Sequence, residues 1–231
     1  FSLSQLLFSV MAVSALPSMA QSLSVNFGAE RGPSPVSEAS KTSGVILIDG
    51  DKWNNTTVNG SGGLTNLIDS TGATTDATVD WTAQNTWVSG SSGATTTSEN
   101  GDLTKGYLDD SGTGWTVDLV SQYLVSDLYI IHGTDQGNSA NMSVVSVNGQ
   151  FYKGNGSTTV PATGVSDSWS ADNWSVADIL LESDNYLKVS KQTAASIAGF
   201  SSSPGRSAIA AIQVQNTYSG TLSHWDLNGS T

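Results

Sequence analysis

The stretch MSVVSVNGQFYKG, residues Met142–Gly154, contains two alternating apolar runs separated by Asn148-Gly149. Asn-Gly is strongly favoured at the centre of a type I′ turn, because that turn needs a positive φ at both central residues. The twist of this turn matches the twist of two antiparallel strands, so the stretch predicts a β-hairpin. The rest of the chain contains further segments of strand length between turn-forming residues.

These further segments are short and rich in β-branched or aromatic residues, which is typical of strands. The first of them alternates with a period of two, which places Leu23, Val25 and Phe27 on one face. The segments are SLSVNF (Ser22–Phe27), GVILID (Gly44–Asp49), ATVDW (Ala77–Trp81), WTVDLV (Trp115–Val120), SDLYIIHG (Ser126–Gly133), YLKVS (Tyr186–Ser190) and SAIAAIQVQ (Ser207–Gln215).

Only Leu103–Asp110 and Val176–Glu182 resemble short helical turns. Strands and helices do not alternate along the chain, which argues against a parallel α/β sheet. We therefore predict an all-β fold, an antiparallel β-sandwich of about nine or ten strands with one or two short helical turns.

The first 20 residues predict a signal peptide that is truncated at its N-terminus, since a basic region and an initial Met are missing. The apolar run Leu6–Leu16 is shorter than the roughly 20 residues of a membrane-spanning helix. Small residues at Ser18 and Ala20 favour cleavage between Ala20 and Gln21. The alternative is a type IV pilin stem, but that family has Glu where this chain has Gln5.

This interpretation divides the chain into three parts. Residues 1–20 are the signal peptide, residues 21–216 are the β-sandwich domain, and residues 217–231 are a linker or the start of a missing C-terminal segment. The expected location is outside a bacterial cell or at its surface, with no membrane span in the mature fragment.

The composition limits the classes of partner and chemistry. The 231 residues include no cysteine, so neither a disulfide framework nor thiol catalysis is expected. Eight basic and 20 acidic residues give a formal net charge of −12. A chain of this charge repels a phosphate backbone, which argues against nucleic acid as a partner.

No catalytic motif is present, whether a G-x-S-x-G elbow, an H-E-x-x-H pair or a phosphate-binding glycine loop. His132 ends an apolar run, where a histidine bonded to a neighbouring loop is the simpler interpretation than a Ser-His-Asp site. A glycosidase needs two carboxylates roughly 5–9 Å apart, and the sequence shows no such pair. We therefore predict a protein that is not an enzyme.

Oxygen-bearing side chains cluster beside glycines, at Asp49 with Asp51 and at Asp109 with Asp110. Calcium takes six to eight oxygen ligands from such flexible loops, so a structural calcium ion at these four aspartates is one interpretation. The other is that Asp, Asn and Gly simply form turns, and this is the one we favour. No other cofactor is expected.

Tryptophans in polar surroundings indicate where a ligand could bind. An indole offers a flat apolar face and an N–H donor, which suits stacking on a sugar ring beside Asn and Asp hydrogen bonds. The alternative is that long loops fold back and use these indoles to cover the ends of the sandwich. The candidate ligand-binding residues are Trp53, Asn54, Asp135, Trp169 and Trp174.

Several stretches together resemble secreted surface proteins of the Verrucomicrobia and Planctomycetes type, which often carry a PEP-CTERM-like sorting segment and a galactose-binding-like jelly roll. The resemblance covers most of Ser22–Asn216 and implies a jelly-roll fold, export and some preference for carbohydrate binding. It transfers no catalytic residue, and a fold alone does not determine function. The stretches are SVNFGAERG (24–32), WNNTT (53–57), LIDSTGATTDATVDW (67–81), VSDLYIIHGTDQGNSANMSVVSVNGQFY (125–152) and SAIAAIQVQ (207–215).

The expected function is a non-catalytic, exported module that binds polysaccharide or extracellular matrix. Two alternatives stay open: a structural surface or filament subunit without a ligand, and a polysaccharide-active enzyme or its accessory domain.

Overall fold

The computed structural model shows an all-β sandwich, as the sequence predicts. It describes residues 21–28, 42–56, 59–88, 103, 106–109, 114–121, 123, 126–132, 144–153, 165–168, 186–192, 194–200 and 208–217.

Sixteen strands lie in the described part of the chain, in two seven-stranded sheets and one small pair. The first sheet contains β1 (Ser22–Asn26), β4 (Asn54–Asn55), β7 (Asn85–Val88), β8 (Gly106–Asp109), β10 (Ser126–His132), β14 (Tyr186–Gln192) and β16 (Ala208–Asn216). The second contains β5 (Gly62–Thr65), β6 (Thr78–Thr82), β9 (Trp115–Val120), β11 (Val144–Val147), β12 (Gln150–Lys153), β13 (Val165–Ser168) and β15 (Ala194–Phe200). The pair is β2 (Thr42–Ser43) with β3 (Ile48–Asp49).

The main core lies between the two seven-stranded sheets and receives alternate side chains from both. This core includes an edge-to-face aromatic pair, Phe27 and Trp81, with ring centroids 5.7 Å apart. Trp115 is 2% exposed, and its neighbours Val117 and Leu119 on β9 face the same way. Burying each such side chain contributes about 1.5–3 kcal/mol, so this layer is the main source of stability.

Strand β16 lies at the centre of the first sheet and changes partners along its length. It pairs with β10 on one side, and with β1 and then β8 on the other. Where β1 gives way to β8, Gly28 and Gly106 lie backbone against backbone, since a Cβ on either would overlap main-chain atoms of the other. Glycine at both positions allows the two strands to meet there.

A short outer layer, residues 42–53, covers part of the exterior face of the first sheet. The Ile46 N–H donates to Gln213 Oε1 (3.0 Å), and Gln213 Nε2 donates to Ile46 O (2.8 Å) and to Ser24 Oγ (3.0 Å). Gln213 is fully buried, so its amide takes the place of a strand partner for the covering segment.

Most of the predicted strands are confirmed, including the hairpin of β11 and β12. Asn148 and Gly149 have φ of 50° and 80°, as a type I′ turn requires. The predicted strand Gly44–Asp49 is wrong over most of its length, because Gly44–Leu47 form a turn and only Ile48–Asp49 are extended. Val45, Ile46 and Ile48 of that run pack on a sheet from outside instead of forming part of it, while Leu47 is 70% exposed.

The helical turn predicted for Leu103–Asp110 is also wrong in part, because Gly106–Asp109 form strand β8 between β7 and β16. The second predicted turn, Val176–Glu182, lies outside the described residues. The sequence analysis does not predict strands β2, β4, β5, β7, β13 and β15, and the described strands outnumber the nine or ten expected.

Replacing Gly28 with Ala should lower the free energy of unfolding by more than about 3 kcal/mol, because the new methyl group overlaps the Gly106 backbone. Gly63→Ala is the control, since a methyl group there meets the movable carboxylate of Asp80. Chemical denaturation of both variants measures the difference. Equal losses would contradict a special role for the Gly28–Gly106 contact.

Tyr123 should make stability fall at alkaline pH. Burial raises the pKa of its hydroxyl well above the usual value, with Asp69 adding to the effect. The unfolded chain ionises this group near pH 10, and the folded chain does not. The neutral hydroxyl of Tyr123 therefore imposes no loss of stability below about pH 10, and the free energy of unfolding declines above it. Tyr123→Phe should show a weaker decline between about pH 10 and 11 in urea denaturation. An unchanged decline would contradict this origin.

Candidate functional site

Trp53 lies in the outer layer, directly after a single 3-10 turn at Gly50–Lys52. Its side chain is 3% exposed and packs against the exterior face of the first sheet, so neither ring face is open to a ligand. The indole therefore covers the exterior face of a sheet, whereas the alternative interpretation places such indoles at the ends of the sandwich. The other buried members of this cluster are Ile48, Leu103, Tyr129, Ile131, Tyr186 and Ala211.

Asn54 uses its side-chain amide to join two parts of the fold. Its Nδ2 donates to Ser24 O (3.0 Å) and to Ile68 O (2.9 Å), while its Oδ1 accepts from the Ile68 N–H (2.8 Å). The amide thereby connects β1 to the segment that follows β5. Both donors are already used inside the protein, so Asn54 has a structural role in this state.

Three of the four predicted calcium ligands, Asp49, Asp51 and Asp109, lie in the described part of the chain, where they do not form a metal-binding group. Asp49 pairs with Lys52, with Oδ2 to Nζ at 2.6 Å, while the neighbouring Asp51 is exposed. Hydrogen bonding to Asp49 raises the pKa of Lys52, and burial opposes it. Asp109 is buried on β8 opposite Asn85 and Ala208. Within the described ranges, no group of three or more His, Cys, Asp or Glu side chains is placed to hold a metal ion.

Four predicted site residues lie outside the described residues: Asp110, Asp135, Trp169 and Trp174. Their roles stay predictions.

A different set of polar side chains meets on the exterior face of the first sheet, beyond the outer layer. We call it the Lys188 patch, and it consists of Asp127, Tyr129, Lys188 and Gln215. Lys188 Nζ lies 2.7 Å from Asp127 Oδ2 and 5.4 Å from the centre of the Tyr129 ring. Tyr129 Oη lies 3.5 Å from Gln215 Oε1.

The strand register explains why these residues meet. Tyr129 on β10 lies directly opposite Lys188 on β14, and Asp127 lies directly opposite Gln215 on β16. Side chains on one face of adjacent strands are about 4.5–5.5 Å apart at Cβ, close enough for ion pairs and hydrogen bonds. The patch therefore lies on regular strands, which hold polar groups more rigidly than loops do.

The patch contains one positive and one negative side chain, and both are partly exposed to solvent. Hydrogen bonding to Asp127 raises the pKa of Lys188, and burial opposes it, so the side chain is a cation at neutral pH. The Lys188 side chain is 44% exposed and that of Asp127 14%. The two charges cancel locally, although the whole chain carries −12.

Hydrogen bonding in and around the patch is incomplete. The 3.5 Å separation of Tyr129 Oη and Gln215 Oε1 exceeds the usual O–H···O range of 2.5–3.0 Å. Ser22 lies directly opposite Gln215 on β1, is 1% exposed, and its Oγ has no hydrogen-bond partner among the described residues. Ser22 and Tyr129 are buried, so among these groups only the half-buried Gln215 is open to a hydroxyl-bearing molecule.

The sequence analysis missed this patch because its members lie within predicted strands. The only signal is that Asp127 and Tyr129 alternate with the core residues Leu128 and Ile130 on β10, a pattern that Ile131 interrupts. That pattern is common on any solvated sheet face and does not by itself identify a site.

No protein-family model matches the chain, and neither a curated protein nor a solved structure matches it. In the part of the chain that the structure describes, no helix has the length and apolar character needed to cross a membrane.

Replacing Asn54 with Asp should destabilise the fold by about 2–4 kcal/mol, because a carboxylate cannot donate to the Ser24 and Ile68 carbonyls. Asn55→Asp is the matched control. Asn55 Oδ1 accepts from Asn26 Nδ2 (3.0 Å), and an aspartate keeps that bond, losing only the long contact from Asn55 Nδ2 to Trp53 O (3.4 Å). Thermal unfolding of both variants gives the comparison. A loss at Asn54 no larger than at Asn55 would contradict the structural role.

Proposed function

We propose that this protein is a non-catalytic, exported β-sandwich module that binds carbohydrate at or outside the cell surface. The observation that supports it is the Lys188 patch, in which a cation, a carboxylate, an amide and a phenol lie together on rigid strands. Sugar hydroxyls both donate and accept hydrogen bonds, so a surface offering both kinds of group suits them.

Two features of the patch favour a ligand over a purely structural network. The ammonium group of Lys188 has three donors, and its side chain is nearly half exposed. Gln215 is only half-buried, and its single described side-chain contact is a long one. A bound hydroxyl or water beside Gln215 and Lys188 would add to the hydrogen bonding of both side chains.

Charge favours a neutral glycan over an acidic one. The patch has no net charge, while the whole chain repels anions through its charge of −12. An acidic polysaccharide would therefore gain little at the patch and would be opposed at longer range.

The resemblance to secreted surface proteins with a galactose-binding-like jelly roll supports the same proposal and its bacterial, exported location. The predicted loop residues Asp135, Trp169 and Trp174 remain candidates for a second contact with the ligand. We therefore include them in the test beside the patch.

The experiment measures binding of the purified protein to a panel of neutral and acidic polysaccharides, in calcium and in EDTA. Gln215→Ala should weaken binding to a neutral polysaccharide by about tenfold, as expected for the loss of one or two hydrogen bonds. Trp169→Ala and Trp174→Ala test the loop contact in the same assay. Asp118→Asn, on the exterior face of the other sheet, is the control and should bind normally.

No saturable binding by folded wild-type protein to any polysaccharide would overturn the proposal. Equal weakening in Gln215→Ala and Asp118→Asn would remove the patch as the site. Loss of binding in EDTA would add a metal requirement that the described residues do not explain.

A further inference from the structure

Asn-Gly pairs are prone to an intramolecular reaction, because the glycine has no side chain to obstruct attack by its backbone nitrogen on the asparagine side chain. The sequence contains five such pairs, and two of them lie in the described part of the chain, Asn59-Gly60 and Asn148-Gly149. Both asparagines are exposed, and both glycines have a positive φ, of 72° and 80°. The dipeptides are therefore alike, and only their surroundings distinguish them.

Asn148-Gly149 is the tip of the hairpin of β11 and β12, with open space beside it. A Cβ on Gly149 would meet no atom within 4 Å. The strand pair next to the turn is Val147 opposite Gln150. A hairpin tip opens locally at little cost in free energy, since only this last pair has to separate. The Asn148 backbone can therefore rotate into the geometry that attack requires while the rest of the sheet stays intact.

Asn59-Gly60 is held by contacts with distant parts of the chain. Asn59 Oδ1 accepts from the Thr86 N–H (3.0 Å) and from Thr86 Oγ1 (2.6 Å), and Thr86 is fully buried. Gly60 is also buried, and its carbonyl accepts from Trp81 Nε1 (2.6 Å). Rotation of Asn59 into an attack geometry would break its bonds to Thr86, so it requires opening of the fold and not only of a turn.

We propose that Asn148 is a site of spontaneous deamidation in the folded protein, and that the fold protects Asn59 from the same reaction. The backbone nitrogen of Gly149 attacks Asn148 Cγ and loses its proton, which closes a five-membered succinimide ring. The bond from Cγ to Nδ2 breaks, and Nδ2 leaves with a proton as ammonia. Water then opens the ring at either carbonyl and gives an aspartate or an isoaspartate at position 148. One water is consumed and one ammonia released, without oxidation or reduction.

The reaction changes the hairpin in two ways. Either product adds one negative charge to a chain that already carries −12. The isoaspartate also adds one atom to the main chain of the turn, which removes the type I′ geometry that Asn148 and Gly149 have. This inference does not depend on carbohydrate binding, since the hairpin belongs to the second sheet and the Lys188 patch to the first.

The test follows both sites in the purified full chain during incubation at slightly alkaline pH. Chymotryptic peptides are analysed by mass spectrometry, with fragmentation that separates aspartate from isoaspartate. In the folded protein, deamidation should be at least about tenfold slower at Asn59 than at Asn148, on the scale of the Thr86 hydrogen bonds that have to break. In denaturant the two sites should react at similar rates, because the dipeptides are the same.

Thr86→Val is the matched variant for the protection of Asn59. It removes the hydroxyl donor and keeps the shape of the side chain, so deamidation of Asn59 should become about twofold to tenfold faster while that of Asn148 is unchanged. Circular dichroism establishes that the variant is folded.

Four results would each overturn the proposal. The first is no deamidation of Asn148 in the folded chain, and the second is an equal rate at Asn59 and Asn148. The third is aspartate at position 148 without isoaspartate, which would exclude the succinimide. The fourth is an unchanged rate at Asn59 in folded Thr86→Val.

Discussion

The burial of β16 on both faces is the constraint on which the rest of the structure depends. Ile209, Ile212 and Val214 enter the main core, while Ala211 and Gln213 face the exterior, and all five are at most 2% exposed. A strand buried on both faces requires a second layer outside its sheet. The amide of Gln213 supplies hydrogen bonds to that layer at Ile46, which is why a glutamine can be fully buried in this strand.

This outer layer determines which surface is left for function. Trp53 is an apolar cover in this layer, and Asn54, which follows it on β4, connects β1 to the segment after β5. Two residues whose sequence context suits a sugar site are therefore used inside the protein. The layer ends before it reaches Lys188 and Gln215, which stay partly exposed on the same sheet. The described residues thus leave the patch partly exposed except at Tyr129, which is buried in the cluster with Trp53.

The sequence predicts the fold better than the site, for a physical reason. The strands that line the core have strong period-two patterns, as in Trp115–Val120, and Asn148-Gly149 has a specific turn geometry. The run Gly44–Asp49 misleads because apolar residues that cover a sheet resemble those that form one. The meeting of Lys188 with Asp127 depends on the register of strands 60 residues apart, and no local pattern encodes that register.

The exterior faces of the two sheets differ in how their charged side chains are arranged. On the first sheet Lys188 neutralises Asp127, which leaves a surface without net charge where an uncharged ligand can approach. On the second sheet Asp80 and Asp118 lie opposite each other, and their other strand partners, Gly63 and Ser196, carry no charge. Two like charges placed in this way cost up to about 1 kcal/mol. The carboxylate of Asp80 is displaced over Gly63 on the neighbouring strand β5, which increases its distance from Asp118.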